Sequence, residues 1–230
     1  MSLNDPIADL APDLIRHLIR TQRDTPVQPY QPPAEMEQQL PPLEAGGRAI
    51  EAVVEELREI IERTPRTTGP AFFNQLFGGR DDAAALGEIT ASLLNSSMYT
   101  YKVAGPHAIL ERRLIDHMGE KIGWSACDGI FNPGGSMSNL VAALLARAHT
   151  FPTAREEGMH GCRATIYTSA EGHYSITKNA SIVGVGRAQV RPIMTDAEGM
   201  MDPNALLHQV EEDRRAGFTP MMINATAGTT

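Results

Sequence analysis

The chain has 230 residues, of which 42% are hydrophobic, so it is long enough to bury a core of its own. Its formal net charge of -8 argues against a nucleic-acid partner, because phosphate backbones are bound by clustered Lys and Arg. The longest apolar stretch, at residues 140–145, is far shorter than the ~20 residues of a membrane span, and no signal-peptide pattern opens the chain. Cys127 and Cys162 form no CxxC pair, so we expect no metal site. These features predict a cytoplasmic protein that binds neither nucleic acid nor a membrane.

Residues 1–65 are predicted to form an N-terminal helical arm and a proline-rich connector. Asp5 and Pro6 are suited to begin a first helix, and apolar residues follow on one side of it. Six prolines fall in residues 23–43, which we expect to be extended and to contain no regular helix. Apolar residues then recur at helical spacing over residues 48–65. An arm of this kind can pack on a second subunit.

Residues 66–230 show the pattern of a larger α/β domain. Helices are predicted at residues 86–95 and 106–122. Beyond Trp124, short apolar runs alternate with helices. The apolar runs are Gly129 to Asn132, Ala164 to Thr168, Val190 to Met194 and Met221 to Ala225, and the helices are Ser136 to Ala148, Tyr174 to Ile182 and Pro203 to Ala216. This alternation predicts a mostly parallel sheet with helices on both faces.

The loop Pro133-Gly134-Gly135-Ser136 is a candidate anion-binding site. It follows an apolar run and precedes a helix, an arrangement that presents free backbone N–H groups and the positive end of a helix. A Gly-Gly turn followed by Ser is also common as a simple helix cap. The chain has no GxxxxGK[ST] motif, and its other glycine-rich stretch lacks the third glycine of a dinucleotide fingerprint.

Five segments, in their order and spacing, resemble the glutamate and cysteine sulfinate decarboxylases, which are group II pyridoxal-phosphate-dependent decarboxylases. They are residues 72–79, 98–101, 128–139, 173–178 and 225–230. The resemblance implies that residues 66–230 are an incomplete pyridoxal-phosphate-binding large domain. It also implies a fold type I enzyme, normally a dimer, that uses pyridoxal 5'-phosphate.

The resemblance assigns roles to individual residues. Gly135 and Ser136 correspond to positions that bind the cofactor phosphate, and His173 to the catalytic imidazole that stacks on the pyridine ring. Thr230 corresponds to a hydroxyl near the cofactor, and Gln75 to a side chain near the substrate carboxyl group. Plainer interpretations of these residues, as helix caps, turn residues or the end of a strand, remain open.

The chemistry of such an enzyme also requires a Schiff-base lysine and an acid that pairs with the pyridine nitrogen. The chain has only Lys102, Lys121 and Lys178, and none stands in a context like the Asn-Pro-His-Lys of the family. The family's Asp-bearing strand is absent too. Because a sheet that ended with residues 221–225 would keep an open edge, we expect a companion chain to supply the rest, in a homo-oligomer of such pairs.

These features predict the cofactor-phosphate-binding portion of an amino acid decarboxylase. The expected substrate is a small acidic amino acid such as glutamate, aspartate or cysteine sulfinate. One alternative is a noncatalytic fragment or pseudoenzyme that binds the cofactor or a partner subunit. Another retains the cofactor but changes the reaction, to an aldehyde-forming oxidative decarboxylation or to another reaction at the α-carbon.

Overall fold

The computed structural model describes residues 5–24, 30–42, 46–74 and 78–228. The chain packs as two compact units, Met1–Asn95 and Ser96–Thr230. The predicted domain boundary after residue 65 concerns the organisation of a whole enzyme and stays a prediction.

The described part of the first unit is helical. Its helices are α1 (Pro6–Asp24), α2 (Pro33–Gln39), α3 (Ile50–Arg63) and α4 (Asp82–Leu94). The carboxylate of Asp5 accepts a hydrogen bond from the Ile7 N–H at 3.1 Å, as expected of a residue that begins a helix. Helices α1 and α3 pack against each other, and the Thr21 hydroxyl donates to Glu62 Oε1 at 3.1 Å across that contact.

The expectation that residues 23–43 contain no helix is wrong, because α2 lies within them. Pro33 occupies its first turn, where a backbone N–H would have no intrahelical partner in any case. The residues that follow are mainly Ala, Glu, Met and Gln, which favour helix, and proline does not recur until Pro41. The prolines therefore delimit this helix on both sides instead of preventing it.

Arg66 closes the end of helix α3. Its side chain is buried, and its guanidinium donates to the carbonyl oxygen of Ile61 at 2.7 Å and to that of Glu62 at 2.9 Å. The last carbonyl groups of a helix have no intrahelical donor, so this side chain satisfies acceptors that would otherwise be left without a partner.

The second unit contains the sheet and the remaining helices. Its elements are α5 (Tyr101–Ala104), α6 (Pro106–Lys121), α7 (Gly135–Thr150), α8 (Ala154–Glu157), β1 (Ala164–Ser169), α9 (Ser175–Ile182), a 3₁₀ turn (Arg187–Gln189), β2 (Val190–Ile193), α10 (Pro203–Arg215) and β3 (Thr219–Asn224). The long helices and the three strands lie within a few residues of their predicted positions. The short helices α5 and α8 were not predicted, since four residues are too few to show a periodic pattern.

The three strands form one parallel sheet in the order β2-β1-β3. The central strand β1 is buried along its whole length, which is typical of a parallel strand covered on both faces. Ile166 packs with Ile176 and Ala180 of α9, and α7 contacts both α9 and β3. Tyr167 points to the opposite face, where its hydroxyl donates to Asp213 of α10 at 3.0 Å. The predicted fold class, an α/β fold with helices on both faces of a parallel sheet, is confirmed.

Residues 129–132 were expected to form a strand and do not. They are irregular in the structure, and both Ile130 and Phe131 are largely exposed. A short apolar run is ambiguous by itself, since only pairing with a neighbouring strand makes it part of a sheet. None of the described strands pairs with this run.

A polar network ties α10 to the sheet. Asp213 is 4% exposed and accepts from the Tyr167 hydroxyl and from Arg191 Nη2, the latter at 2.8 Å. Burial opposes ionisation of this carboxyl group, but the hydrogen bonds from Arg191 and Tyr167 and the charge of Arg191 outweigh it, so the pKa of Asp213 lies below its ordinary value. Burial, with the neighbouring carboxylate, raises the pKa of Tyr167.

The second unit also has large apolar side chains that are exposed to solvent. Along α6 the exposed set is Ile109, Leu110, Leu114 and Met118. On β3, Ile223 is 54% exposed, and within the described residues β3 pairs only with β1. Exposed apolar side chains that share one face of a helix, as on α6, are typical of a surface on which other protein packs. In the part of the chain that the structure describes, no helix has the length and apolar character needed to cross a bilayer.

Candidate cofactor-phosphate site

The N-terminus of helix α7 carries the site. Gly134 precedes the helix with φ 103° and ψ 158°, a conformation that a residue with a Cβ rarely adopts. This turn lets the Gly134 carbonyl accept from the N–H groups of Met137 and Ser138 at 3.1 and 3.3 Å. Among the described residues, the N–H groups of Gly135 and Ser136 and the Ser136 hydroxyl have no acceptor. Three donors at the positive end of a 16-residue helix form a site suited to an anion.

Helix α9 holds this end of α7 in place. The side-chain amide of Asn179 donates to the Ser136 carbonyl oxygen at 2.9 Å, and Asn179 is itself buried. One turn further along α7, Asn139 Nδ2 donates to Ser175 Oγ at 2.8 Å. Two amide side chains, one on each helix, thus fix the position of the anion-binding turn relative to α9.

His173 lies in the loop between β1 and α9 and is exposed to solvent. Its Nδ1 lies 2.8 Å from Ser175 Oγ and accepts the backbone N–H of Ser175 at 3.2 Å. The ring of Tyr174 lies beside the imidazole, with centroids 4.4 Å apart and planes tilted by 36°. Nδ1 of the imidazole is therefore held by Ser175, and Nε2 is left available to contact a ligand.

The carboxyl ends of the parallel strands frame the site. The loop that leads to His173 leaves the end of β1, and Asn224 ends β3, where its Oδ1 accepts from the Thr168 hydroxyl at 3.1 Å. Open parallel sheets generally bind their ligands outside the carboxyl ends of the strands. The position of the α7 turn and of His173 follows this rule.

The structure links three of the predicted residues. Gly135 and Ser136 begin α7, and His173 is joined to the same helix through the hydrogen bonds of Asn139 and Ser175. The roles assigned to these residues stay predictions. The other two predicted residues, Gln75 and Thr230, lie outside the described residues.

Sequence reasoning missed the supporting residues Asn139, Ser175 and Asn179. Each is a polar residue close to a predicted one, and Ser175 and Asn179 are buried in helix α9. A polar residue on the apolar side of a helix could have signalled them, because a buried polar group needs a partner. The identity of the partner could not be predicted, since Asn139 and Ser175 are far apart in sequence.

None of the three lysines of the chain is buried. Lys102, Lys121 and Lys178 are exposed, so none has the buried environment that converts a lysine into a nucleophile. Over the described ranges, no group of three or more His, Cys, Asp or Glu side chains is arranged to hold a metal ion.

Free donors at a helix N-terminus and an accessible imidazole, both at the carboxyl edge of a parallel sheet, suit a phosphorylated, aromatic cofactor. Residues 33–230 match the pyridoxal-dependent decarboxylase conserved domain, and the chain belongs to that family. Pyridoxal phosphate fits the site, because its phosphate carries the charge that the three donors at the helix end are suited to bind.

Individual proteins with similar sequences support the same family assignment. The chain is 37% identical to the cysteine sulfinic acid decarboxylase of Rattus norvegicus and 39% identical to the acidic amino acid decarboxylase GADL1 of Homo sapiens, each over 203 residues. Those matches take in 87% of this chain but only 41% and 39% of the two relatives. The chain therefore spans less than half the length of these curated relatives.

Solved structures show the same fold. The crystal structure of mouse CSAD in its apo form matches 98% of this chain and 50% of its own, with a TM-score of 0.92 and 34% identity. The structure of Oryza sativa TDC with PLP and tryptamine matches with a TM-score of 0.84, and at 23% identity it supports the fold alone.

Proposed function

We propose that this chain is the cofactor-phosphate-binding portion of a pyridoxal-phosphate-dependent decarboxylase that acts on a small acidic amino acid. The observation that carries the proposal is the set of free donors at the α7 N-terminus, held by α9 beside the loop of His173. When bound, pyridoxal phosphate draws electrons away from the bonds of the substrate α-carbon. The residues of this chain bind the phosphate, cover the ring and direct a ring nitrogen of His173 at the reacting groups.

The acidic substrate class is supported by the relatives. Cysteine sulfinic acid decarboxylase and acidic amino acid decarboxylase are named for substrates with an acidic side chain. Glutamate, aspartate and cysteine sulfinate are therefore the substrates to test first.

We propose that a companion chain completes the enzyme, in a homo-oligomer of such pairs. The three lysines here are exposed, which supports an anchoring lysine supplied by that companion chain. The apolar stripe of α6 and the outer edge of β3 are surfaces on which the completing protein would pack. Mass spectrometry of the purified assembly tests this, and a folded assembly that contains no further polypeptide contradicts the companion chain.

The phosphate site is tested by cofactor binding. Ser136→Ala removes one donor, and we expect a loss of about 10-fold in affinity for pyridoxal phosphate, as expected for a hydrogen bond to a charged group. Affinity for pyridoxal, which has no phosphate, should not change. Thr90→Ala is the matched control, because the Thr90 hydroxyl donates only to the Leu86 carbonyl of its own helix, at 2.8 Å. Equal affinities of Ser136→Ala and the parent protein for pyridoxal phosphate would contradict the assignment.

Turnover distinguishes the leading function from its alternatives. The completed enzyme should release carbon dioxide from at least one of the three acidic amino acids and yield the matching amine. Cofactor binding without release would favour a noncatalytic protein, the second candidate, which the exposed lysines also support. An aldehyde in place of the amine would indicate oxidative decarboxylation.

A further inference from the structure

His173 is held from one side by a chain of three polar residues. Ser175 is fully buried, and its hydroxyl lies 2.8 Å from both Asn139 Nδ2 and His173 Nδ1. The backbone N–H of the same serine donates to Nδ1 at 3.2 Å. Two groups of Ser175 thus face one nitrogen of the imidazole.

The direction of these hydrogen bonds determines where the ring proton lies. A backbone N–H can only donate, so this hydrogen bond needs the lone pair of Nδ1 and disfavours the neutral ring that carries its proton there. The side-chain amide of Asn139 also donates, so the Ser175 oxygen accepts from it, and the hydroxyl hydrogen is left to donate to Nδ1 at 2.8 Å. Both donors from Ser175 therefore favour the proton on Nε2.

We propose that Asn139 and Ser175 are positioning residues that fix neutral His173 as the Nε2–H tautomer, so that it presents a hydrogen-bond donor to the site. The ring then offers its donor to an anionic oxygen, such as a carboxylate, and is not available as a base. The identity of that oxygen as one of the substrate or cofactor rests on the proposed function. The tautomer itself does not.

The same chain connects the histidine to the anion-binding helix. Asn139 lies one turn after Ser136 on α7, and Ser175 begins α9, whose Asn179 holds the Ser136 carbonyl. A shift of α7 would therefore move the partner of Ser175 and loosen the hold on Nδ1. The orientation of His173 and the position of the phosphate turn are set by one hydrogen-bonded unit.

The tautomer can be measured directly. We would record long-range ¹H–¹⁵N correlations of the imidazole rings in the full protein labelled with ¹⁵N-histidine, without cofactor, at about pH 8, where an ordinary histidine is neutral. His173→Gln identifies the signal among the 7 histidines. We expect the Nε2–H form to exceed the Nδ1–H form by about tenfold or more, as a hydrogen bond to Nδ1 provides. Equal populations, or a proton on Nδ1, would overturn the proposal.

Variants separate positioning from simple packing. Asn139→Asp replaces the donating amide by a carboxylate, which accepts a hydrogen bond from the Ser175 hydroxyl. Ser175 Oγ then presents a lone pair to Nδ1, so we expect the population of the Nδ1–H tautomer to rise severalfold. Asn139→Leu removes the amide without reversing the direction of the Ser175 hydrogen bond, so it should raise the Nδ1–H population less. A packing role would predict the same change for both variants, and that result would overturn the proposal. The wild-type tautomer alone decides the question if a variant fails to fold.

Ser181→Asp is the matched control, because it places the same charge in α9 on an exposed residue near the far end of the helix, away from Ser175. We expect it to leave the tautomer unchanged. Because no cofactor is present, failure of pyridoxal phosphate to bind would count against the proposed function and leave the tautomer result valid.

Discussion

Gly172→Ala tests how closely the loop that carries His173 must approach strand β1. A Cβ at this position would overlap the Thr168 hydroxyl and lie 2.8 Å from the Ser169 carbonyl oxygen, closer than real Cβ contacts. Neither neighbour is free to move. The Ser169 carbonyl accepts from the Gly172 N–H at 2.8 Å, and the Thr168 hydroxyl donates to Asn224. The added methyl group must therefore displace the loop.

The expected cost is about 2 kcal/mol, in the range of 1–3 kcal/mol typical of overpacking. For a protein of this size that is a fall of roughly 4–8 °C in Tm. Gly87→Ala is the matched control, because Gly87 lies inside helix α4 and a Cβ there would meet no other atom within 4 Å. At that position the same change should stabilise by about 0.5–1 kcal/mol.

A double variant identifies the cause. Thr168→Ala removes the nearest atom, so Gly172→Ala should cost about 1 kcal/mol less in that background than alone. The Ser169 carbonyl still opposes the methyl group, so the recovery should be partial. Because His173 is the next residue, affinity for pyridoxal phosphate should fall together with stability.

Thermal and denaturant unfolding, with cofactor titration, measure these effects. The reasoning is refuted if Gly172→Ala and Gly87→Ala change the free energy of unfolding in the same direction. It is also refuted if Thr168→Ala leaves the cost of Gly172→Ala unchanged, since the loop would then not rest on that hydroxyl.

Two further variants test the packing of the second unit. Asp213→Asn should cost about 3 kcal/mol, since it breaks a buried pair with Arg191, whereas Glu211→Gln, in an exposed pair on the same helix, should cost at most about 0.5 kcal/mol. In the folded protein the pKa of Asp213 lies below its ordinary value of 3.8. The ionised carboxylate therefore stabilises the fold above pH 3.8, and this stabilisation is lost as the pH falls through the lowered pKa. The difference in free energy of unfolding between the parent protein and Asp213→Asn should therefore shrink only under acid conditions. A gap that stays constant below pH 3.8 would refute this. Gly119→Ala should cost about 2 kcal/mol in the same assay, because its Cβ would overlap Cys127 Sγ, and Cys127→Ala should restore most of that loss.

The elements that could be predicted are those whose local pattern agrees with their environment. The run at residues 164–168 is apolar and β-branched, and it is the buried centre of the sheet as β1. Helix α10 begins at Asp202 and Pro203, a capping residue followed by a first-turn proline, and its boundaries could be predicted closely. In these cases propensity, capping and burial favour the same structure.

The errors arose where a local pattern has two physical meanings. Proline prevents helix in its interior but favours the first turn, and the helix after Pro33 uses the second property. An apolar run such as residues 129–132 becomes a strand only if a neighbour pairs with it, and pairing is a long-range property. Neither alternative could be chosen from the local residues alone.

The free donors at the start of α7 could be predicted from the sequence, whereas the polar residues that hold them in place could not. Gly135 and Ser136 could be proposed from the arrangement of glycine and serine before a helix, because free backbone N–H groups at a helix N-terminus can bind an anion. The chain Asn139–Ser175–His173 could not, since it forms only when α7 and α9 pack on the same face of the sheet. The donors at the start of α7 belong to a local motif, whereas the residues that hold them depend on tertiary packing. The tautomer of His173 therefore follows from the fold and could not be read from its sequence neighbours.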